Sequence, residues 1–223
     1  MIIDNLATLL KLIDFEEGDY YKFEAIIRSK DGLNPLCTNP NSTSIKYWLI
    51  SNWNELDKLY PVMQEFCNRT GARLYMTLDR KNITKTFINT SKNLFDTLTE
   101  MMYGSKFSIH KLNKIIASET SKKDNSAKNC RTWMIDIDID DEYIKQLTEE
   151  YLEDLHICTL KTPNGYHVIS DKKFGADRFI DLYTTFLSNH KNNLSEDYIN
   201  IIIQNVSLKE NALGLVYFNR KES

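Results

Sequence analysis

The chain has 223 residues, 42% hydrophobic and 11% aromatic, enough to bury a substantial core as one large domain or two intimate modules. A net charge of −3 and a pI near 5.9 exclude a protein that coats nucleic acid through bulk charge, so any such binding has to be local. There is no run of eighteen apolar residues and no basic, signal-like start, so the expectation is a cytoplasmic protein with no membrane partner. Cys37, Cys67, Cys130 and Cys158 lack Cys-x-x-Cys spacing and only His156 lies close to one of them, so they read as reduced core residues rather than a zinc site.

In chain order, the pattern predicts a short helix at 6–13, a strand at 21–28, a Gly/Pro/Asn-rich loop at 31–44 and a strand at 45–50. A helix for which Ser51-Asn52 offers the cap follows, with Pro61 at a kink or at its true start. A strand at 73–78 leads into a long helix at 83–103 and a second at 108–117. These make an N-terminal α/β module over 1–118. Residues 119–130, polar and rich in Ser, Lys and Asn, read as a linker or loop. Beyond it, 131–223 reads strand (131–139), helix (142–154), strands (156–160 and 166–170), helix (176–188) and strands (199–205 and 212–218). The class is therefore α+β, and this βαββαβ order with a trailing strand is close to an RRM or ferredoxin-like sheet.

Residues 133–140 run Trp-Met-Ile-Asp-Ile-Asp-Ile-Asp. On a strand this alternation sends Met134, Asp136, Asp138 and Asp140 to one face and the apolar residues to the other. Aspartate is depleted in strands, and carboxylates about 6 to 7 Å apart repel unless a divalent cation sits between them. Asp136 and Asp138 are thus candidate metal ligands, although a strand with one solvated face shows the same alternation.

Downstream, 160–170 run Leu-Lys-Thr-Pro-Asn-Gly-Tyr-His-Val-Ile-Ser. Pro163-Asn164-Gly165 is turn chemistry between two apolar runs, predicting a hairpin whose exit strand carries Tyr166, Val168 and Ser170 on one face and His167 and Ile169 on the other. Lys161, Thr162 and His167 gather donors where a phosphate could sit, while a surface hairpin with an incidental histidine fits the same residues. Basic residues flank both motifs, Lys122, Lys123, Lys128 and Arg131 before and Lys172, Lys173 and Arg178 after.

An Asp-x-Asp strand, a helix, and then a Lys-Thr-x-x-Gly-x-His turn resemble the first two motifs of the archaeo-eukaryotic primase superfamily, the primase-polymerases. The resemblance covers 131–170 and thins out beyond. It implies an RRM-like catalytic palm preceded by a smaller α/β module, with Asp136 and Asp138 holding Mg²⁺ or Mn²⁺. His167, with Gly165 in the preceding small position, would contact the triphosphate, and Asp136, Asp138 and His167 become the candidate catalytic set. Lys161 and Thr162 join the nucleotide-binding set, as does Arg80 from the N-terminal module. The family's third motif is a strand ending in a carboxylate; here 198–206 ends in Gln204 and Asn205, leaving Glu210 as the candidate third metal ligand.

The implied function is metal-dependent nucleotidyl transfer by a DNA or RNA primase or polymerase. Its partners would be nucleoside triphosphates, a DNA or RNA template, and a helicase or other replication protein. A compact standalone member suits a virus or a mobile element, and a viral origin would place it in the host cytoplasm. Two alternatives stay open: a catalytically inactive primase-like module that binds nucleotide or nucleic acid, and a metal-dependent nuclease.

Overall fold

A computed structural model describes residues 1–32, 34–104, 109–128, 131–190 and 195–220, without the side chains of 109–112, 183 and 185–190. In chain order the elements are β1 (Ile2–Asp4), α1 (Leu6–Leu9), β2 (Asp19–Arg28), β3 (Ser42–Ile50), α2 (Trp53–Thr70), β4 (Arg73–Thr77), β5 (Lys81–Asn82), α3 (Ile83–Met102) and α4 (Ile109–Glu119). There follow β6 (Thr132–Ile137), α5 (Glu142–Leu152), β7 (His156–Lys161), β8 (Tyr166–Asp171), α6 (Gly175–His190), α7 (Glu196–Asn205), β9 (Val206–Glu210) and β10 (Leu213–Asn219). The protein is α+β with antiparallel sheets. It divides into a discontinuous unit, residues 1–14 with 131–223, and an inserted unit, residues 15–130.

The discontinuous unit is built on a four-stranded antiparallel sheet in the order β7-β8-β6-β9. β8 lies between β6 and β7, the split β-α-β arrangement. Ile135 and Ile137 on β6 and Val168 on β8 share one face and pack with Ile144 and Leu152 of α5, Leu182 of α6 and Ile202 of α7. Strand periodicity of two meets helix periodicity of about 3.6 here, and this is the unit's core. β1 pairs with β10, and Asn5 clips the start of α1 in place by donating to the carbonyls of Lys161 (2.8 Å) and Leu215 (2.9 Å).

Several expectations are corrected here. Residues 199–205, expected as a strand, form the end of α7, capped by the Ser195 hydroxyl, which accepts from Tyr198 N, with Glu196 and Asp197 in its first turn. The strand that completes the sheet is β9, one step further on. β10, the expected trailing strand, pairs with β1 instead of extending this sheet. Residues 1–14, expected in the N-terminal module, belong with 131–223.

In the inserted unit β2 is central, with β3, β4 and the short β5 along it. Buried apolar residues come from β2 (Phe23, Ala25), β4 (Leu74, Met76) and α2 (Leu56, Met63, Cys67), while Trp48 of β3 and Phe66 of α2 meet edge to face at 5.6 Å. α2 starts at the Asn52 cap and runs through Pro61, so that proline is not its start. Of the expected linker or loop at 119–130, the described part, to 128, is loop-like but tied down: Glu119, Thr120, Asn125 and Ser126 are all buried. The Asn125 amide donates to the Glu119 carbonyl at 2.7 Å, and Lys81 donates to the Ser126 hydroxyl at 2.9 Å. Cys37, Cys67 and Cys158 are free thiols, and Cys130 lies outside the described residues.

Candidate site on the discontinuous sheet

The register places Asp136 of β6 directly opposite His167 of β8 on one side and Ser207 of β9 on the other. Directly opposed residues share a sheet face, so these three project away from the face that packs Ile135, Ile137 and Val168 on the helices. Asp136 Oδ1 and His167 Nε2 are 3.5 Å apart, and both side chains are largely shielded from solvent. A carboxylate and an imidazole therefore meet at the centre of the sheet.

Gly165 shows why the histidine arrives there. A Cβ built on it would lie 2.0 Å from the Ile137 carbonyl oxygen and 2.6 Å from that of Ile139. Only glycine lets the hairpin turn press against the backbone leaving the aspartate strand. The turn is closed from within, because Thr162 N donates to Gly165 O at 2.9 Å and Gly165 N donates to the Thr162 hydroxyl at 3.0 Å. Thr162 thus shapes the loop rather than presenting its hydroxyl outward.

The ladder ends at Ile137, so the expected single face of three aspartates does not extend past Asp136. Asp138 lies just beyond it, exposed, its N–H donating to the Asn205 carbonyl at 2.8 Å. Asp140 accepts from the Lys161 ammonium and, at 2.9 Å, from the Tyr166 hydroxyl. These bonds, from Lys161 first and Tyr166 second, hold the Asp140 carboxyl below the ordinary carboxylate range. Burial works against the Lys161 ammonium, but its interactions with Asp140 and Tyr166 together outweigh this and raise its pKa.

Three expected site residues are therefore elsewhere. Lys161 lies opposite Tyr166, on the other sheet face from His167, with its ammonium 4.1 Å from the Tyr166 ring centroid. Glu210 lies opposite Trp133, on the other face from Asp136 and three residues along the strand, about 10 Å away. Arg80 belongs to the inserted unit, where Glu16 (2.7 Å) and Asp19 (3.6 Å) engage it. Ser207, which the misplaced third strand concealed, holds the position opposite Asp136; the alternation Val206-Ser207-Leu208-Lys209 was its signal. Among the described residues no group of three or more His, Cys, Asp or Glu side chains is placed to hold a metal ion, and no helix is long and apolar enough to cross a membrane.

The inserted unit carries a cleft of about 1010 Å³ between α4 and the β2–β3 sheet, lined by residues that include Lys22, Glu24, Ser44, Lys46, Tyr47 and Lys114. At its floor Lys22, 2% exposed, pairs with Glu24 at 3.1 Å and donates to the Ser121 hydroxyl at 2.7 Å and the Ala117 carbonyl at 3.2 Å. Ala117, Ser118 and Ser121 are too small to fill the space above it.

Comparison of the chain with protein-family models, with curated proteins and with solved structures gave no match.

Proposed function

We propose that the discontinuous unit is a primase-polymerase-like palm that handles a nucleoside triphosphate with Mg²⁺ or Mn²⁺ in template-directed nucleotidyl transfer. The observation that carries this reading is Asp136 set against His167 at 3.5 Å on the face that Ile135 and Ile137 do not share. Asp136 and Asp138 would hold the metal. Two carboxylates are too few for a protein-only cage, but Mg²⁺ is commonly held by one or two carboxylates together with substrate phosphates and water. Bound there, the metal would polarise the phosphoryl group and favour the attacking hydroxyl. His167 would donate to a phosphate oxygen. In the inserted unit, Lys46 and Lys114 at the rim of the cleft suit the phosphates of a template strand.

The test is primer extension with Mn²⁺ and nucleoside triphosphates on DNA and RNA templates. Asp136→Asn should lower incorporation by about 10²-fold or more and His167→Ala by about 10-fold or more, with the fold intact by circular dichroism. Unchanged incorporation in Asp136→Asn would remove the proposal. Mn²⁺ should bind tightly only once nucleotide is present.

Ser207 opposite Asp136 favours a second reading, a nucleotide-binding module without transferase chemistry. That reading expects nucleotide binding weakened by His167→Ala and no incorporation by the wild type. Degradation of labelled nucleic acid without triphosphates would instead indicate a nuclease.

A further inference from the structure

The long helix α3 is amphipathic the wrong way round. The side held to its own unit is polar: the Thr86 hydroxyl bonds the Tyr20 hydroxyl at 2.9 Å, the Asn89 amide donates to Asn125 at 2.6 Å, the Asn93 amide donates to the Glu119 carboxylate, and Thr97 is buried. Positions 86, 89, 93 and 97 recur at three and four, one face of a helix. The nearly opposite face carries Ile83 (48% exposed), Phe87 (72%), Phe95 (69%), Leu98 (51%) and Met102 (87%), with Ile88 (48%) beside them. A helix on a folded unit ordinarily hides its apolar face and shows its polar one.

We infer that this stripe is a self-association surface on which α3 of a second copy of the chain lies antiparallel. Area is the first argument. At about 150–250 Å² for a fully buried aromatic, the six side chains present on the order of 700 Å² per copy, close to the roughly 800 Å² per partner of a stable interface. Charge is the second. Lys85 and Lys92 lie in the first half of the helix, and Asp96 and Glu100 in the second. All four lie three, four or seven positions from Asn89 or Asn93, on the polar side, so the apolar stripe itself carries no charge to oppose a second copy. Equal numbers of the two signs also give no basic excess of the kind that draws a helix to an anionic membrane.

Shape is the third argument. The centre of the stripe reads Phe87, Ser91, Phe95 at successive steps of four. In a twofold antiparallel pair crossing near residue 93, Phe95 of each copy lies over Ser91 of the other, large against small, and Phe87 comes against Leu98. A two-fold contact must be self-complementary in this way.

Sedimentation velocity from 1 to 100 µM provides the test. The full chain should sediment as a dimer of 26.1 kDa subunits in the upper part of that range. Phe95→Asp and Phe87→Asp, both at exposed positions, should each weaken dimerisation by about tenfold or more with an unchanged circular dichroism spectrum. A monomer at 100 µM, or a dimer indifferent to Phe95→Asp, overturns the inference. A wild type that stays monomeric and binds liposomes instead would assign the stripe to a lipid surface and overturn it equally.

Discussion

The two units treat polar groups on their sheets in opposite ways. The discontinuous unit keeps one face almost purely apolar against three helices and gathers Asp136, His167 and Ser207 into a single cross-strand row on the other. The inserted unit spreads buried ion pairs around its strands: Lys22 with Glu24, Arg73 with Asp31, Arg80 with Asp19. A buried ion pair returns little net stability over a well-packed apolar pair, but losing one partner is expensive. So the second unit, beside its apolar core, has several points at which deletion of one charge is costly.

Two thiols allow that contrast to be tested unit by unit. Burial pushes the Cys67 thiol up to about 12 and the Cys158 thiol up to about 11, so neither reacts with a disulfide reagent at pH 8 while its own unit is closed. In a Cys37→Ser/Cys130→Ser background, Cys158 reports opening of the discontinuous unit and Cys67 opening of the inserted one. The largest effect is expected from Gly165→Ala, whose methyl meets two backbone carbonyls. A loss of more than about 4 kcal/mol should appear, with Cys158 reactive and Cys67 still protected. Ordinary stability in that variant would show that the turn can lift away.

Next comes Lys22→Met, which strands Glu24 and should cost about 3–5 kcal/mol, exposing Cys67 rather than Cys158. The sharper comparison is Lys22→Met/Glu24→Leu: if the loss comes from the unpaired carboxylate, the double variant recovers most of it in urea titration. Ser195→Ala removes the cap of α7 and should cost about 1 kcal/mol, read from the same titration.

The smallest effect is at Asp140, which is exposed and whose Lys161 bond water screens, so Asp140→Asn should change stability at pH 7 by no more than roughly 0.5 kcal/mol. Its folded pKa is depressed, so its contribution is present above the ordinary value of 3.8 and fades as pH falls below it through the folded value. The variant should therefore lose less stability than the wild type between pH 5 and about 2. Parallel pH profiles would show that the bond to Lys161 adds nothing.

What the sequence revealed follows the same division. Period-two alternation and a Pro-Asn-Gly turn are local signals, and they were enough to predict an α+β chain, the aspartate strand and the hairpin that brings in His167. Lys161 was misassigned because a four-residue turn leaves its flanking residues, Lys161 and Tyr166, on one face; the register across the hairpin decides this, not proximity in sequence. The isoleucine-rich 199–203 looked like a strand because β-branched residues favour strands, yet the Ser195 cap and acidic first turn outweighed that preference. Residues 119–128 have the composition of an exposed loop, yet Asn125 bonds Glu119 and Ser126 accepts from Lys81 inside the fold, a circumstance composition does not encode. Glu210 failed with the third strand: once 199–205 becomes helix, β9 shifts down the chain and brings a serine, not a carboxylate, alongside Asp136.

The pairing of β1 with β10 also sets an order of assembly. Residues 2–4 are made before the inserted unit, yet their partners, 217–219, are made more than two hundred positions later. β1 therefore waits with its edge open, a template for unwanted strand addition, while every residue of the inserted unit is made. Slow translation across 131–212 lengthens that wait, and nascent chains stalled there would be the aggregation-prone species.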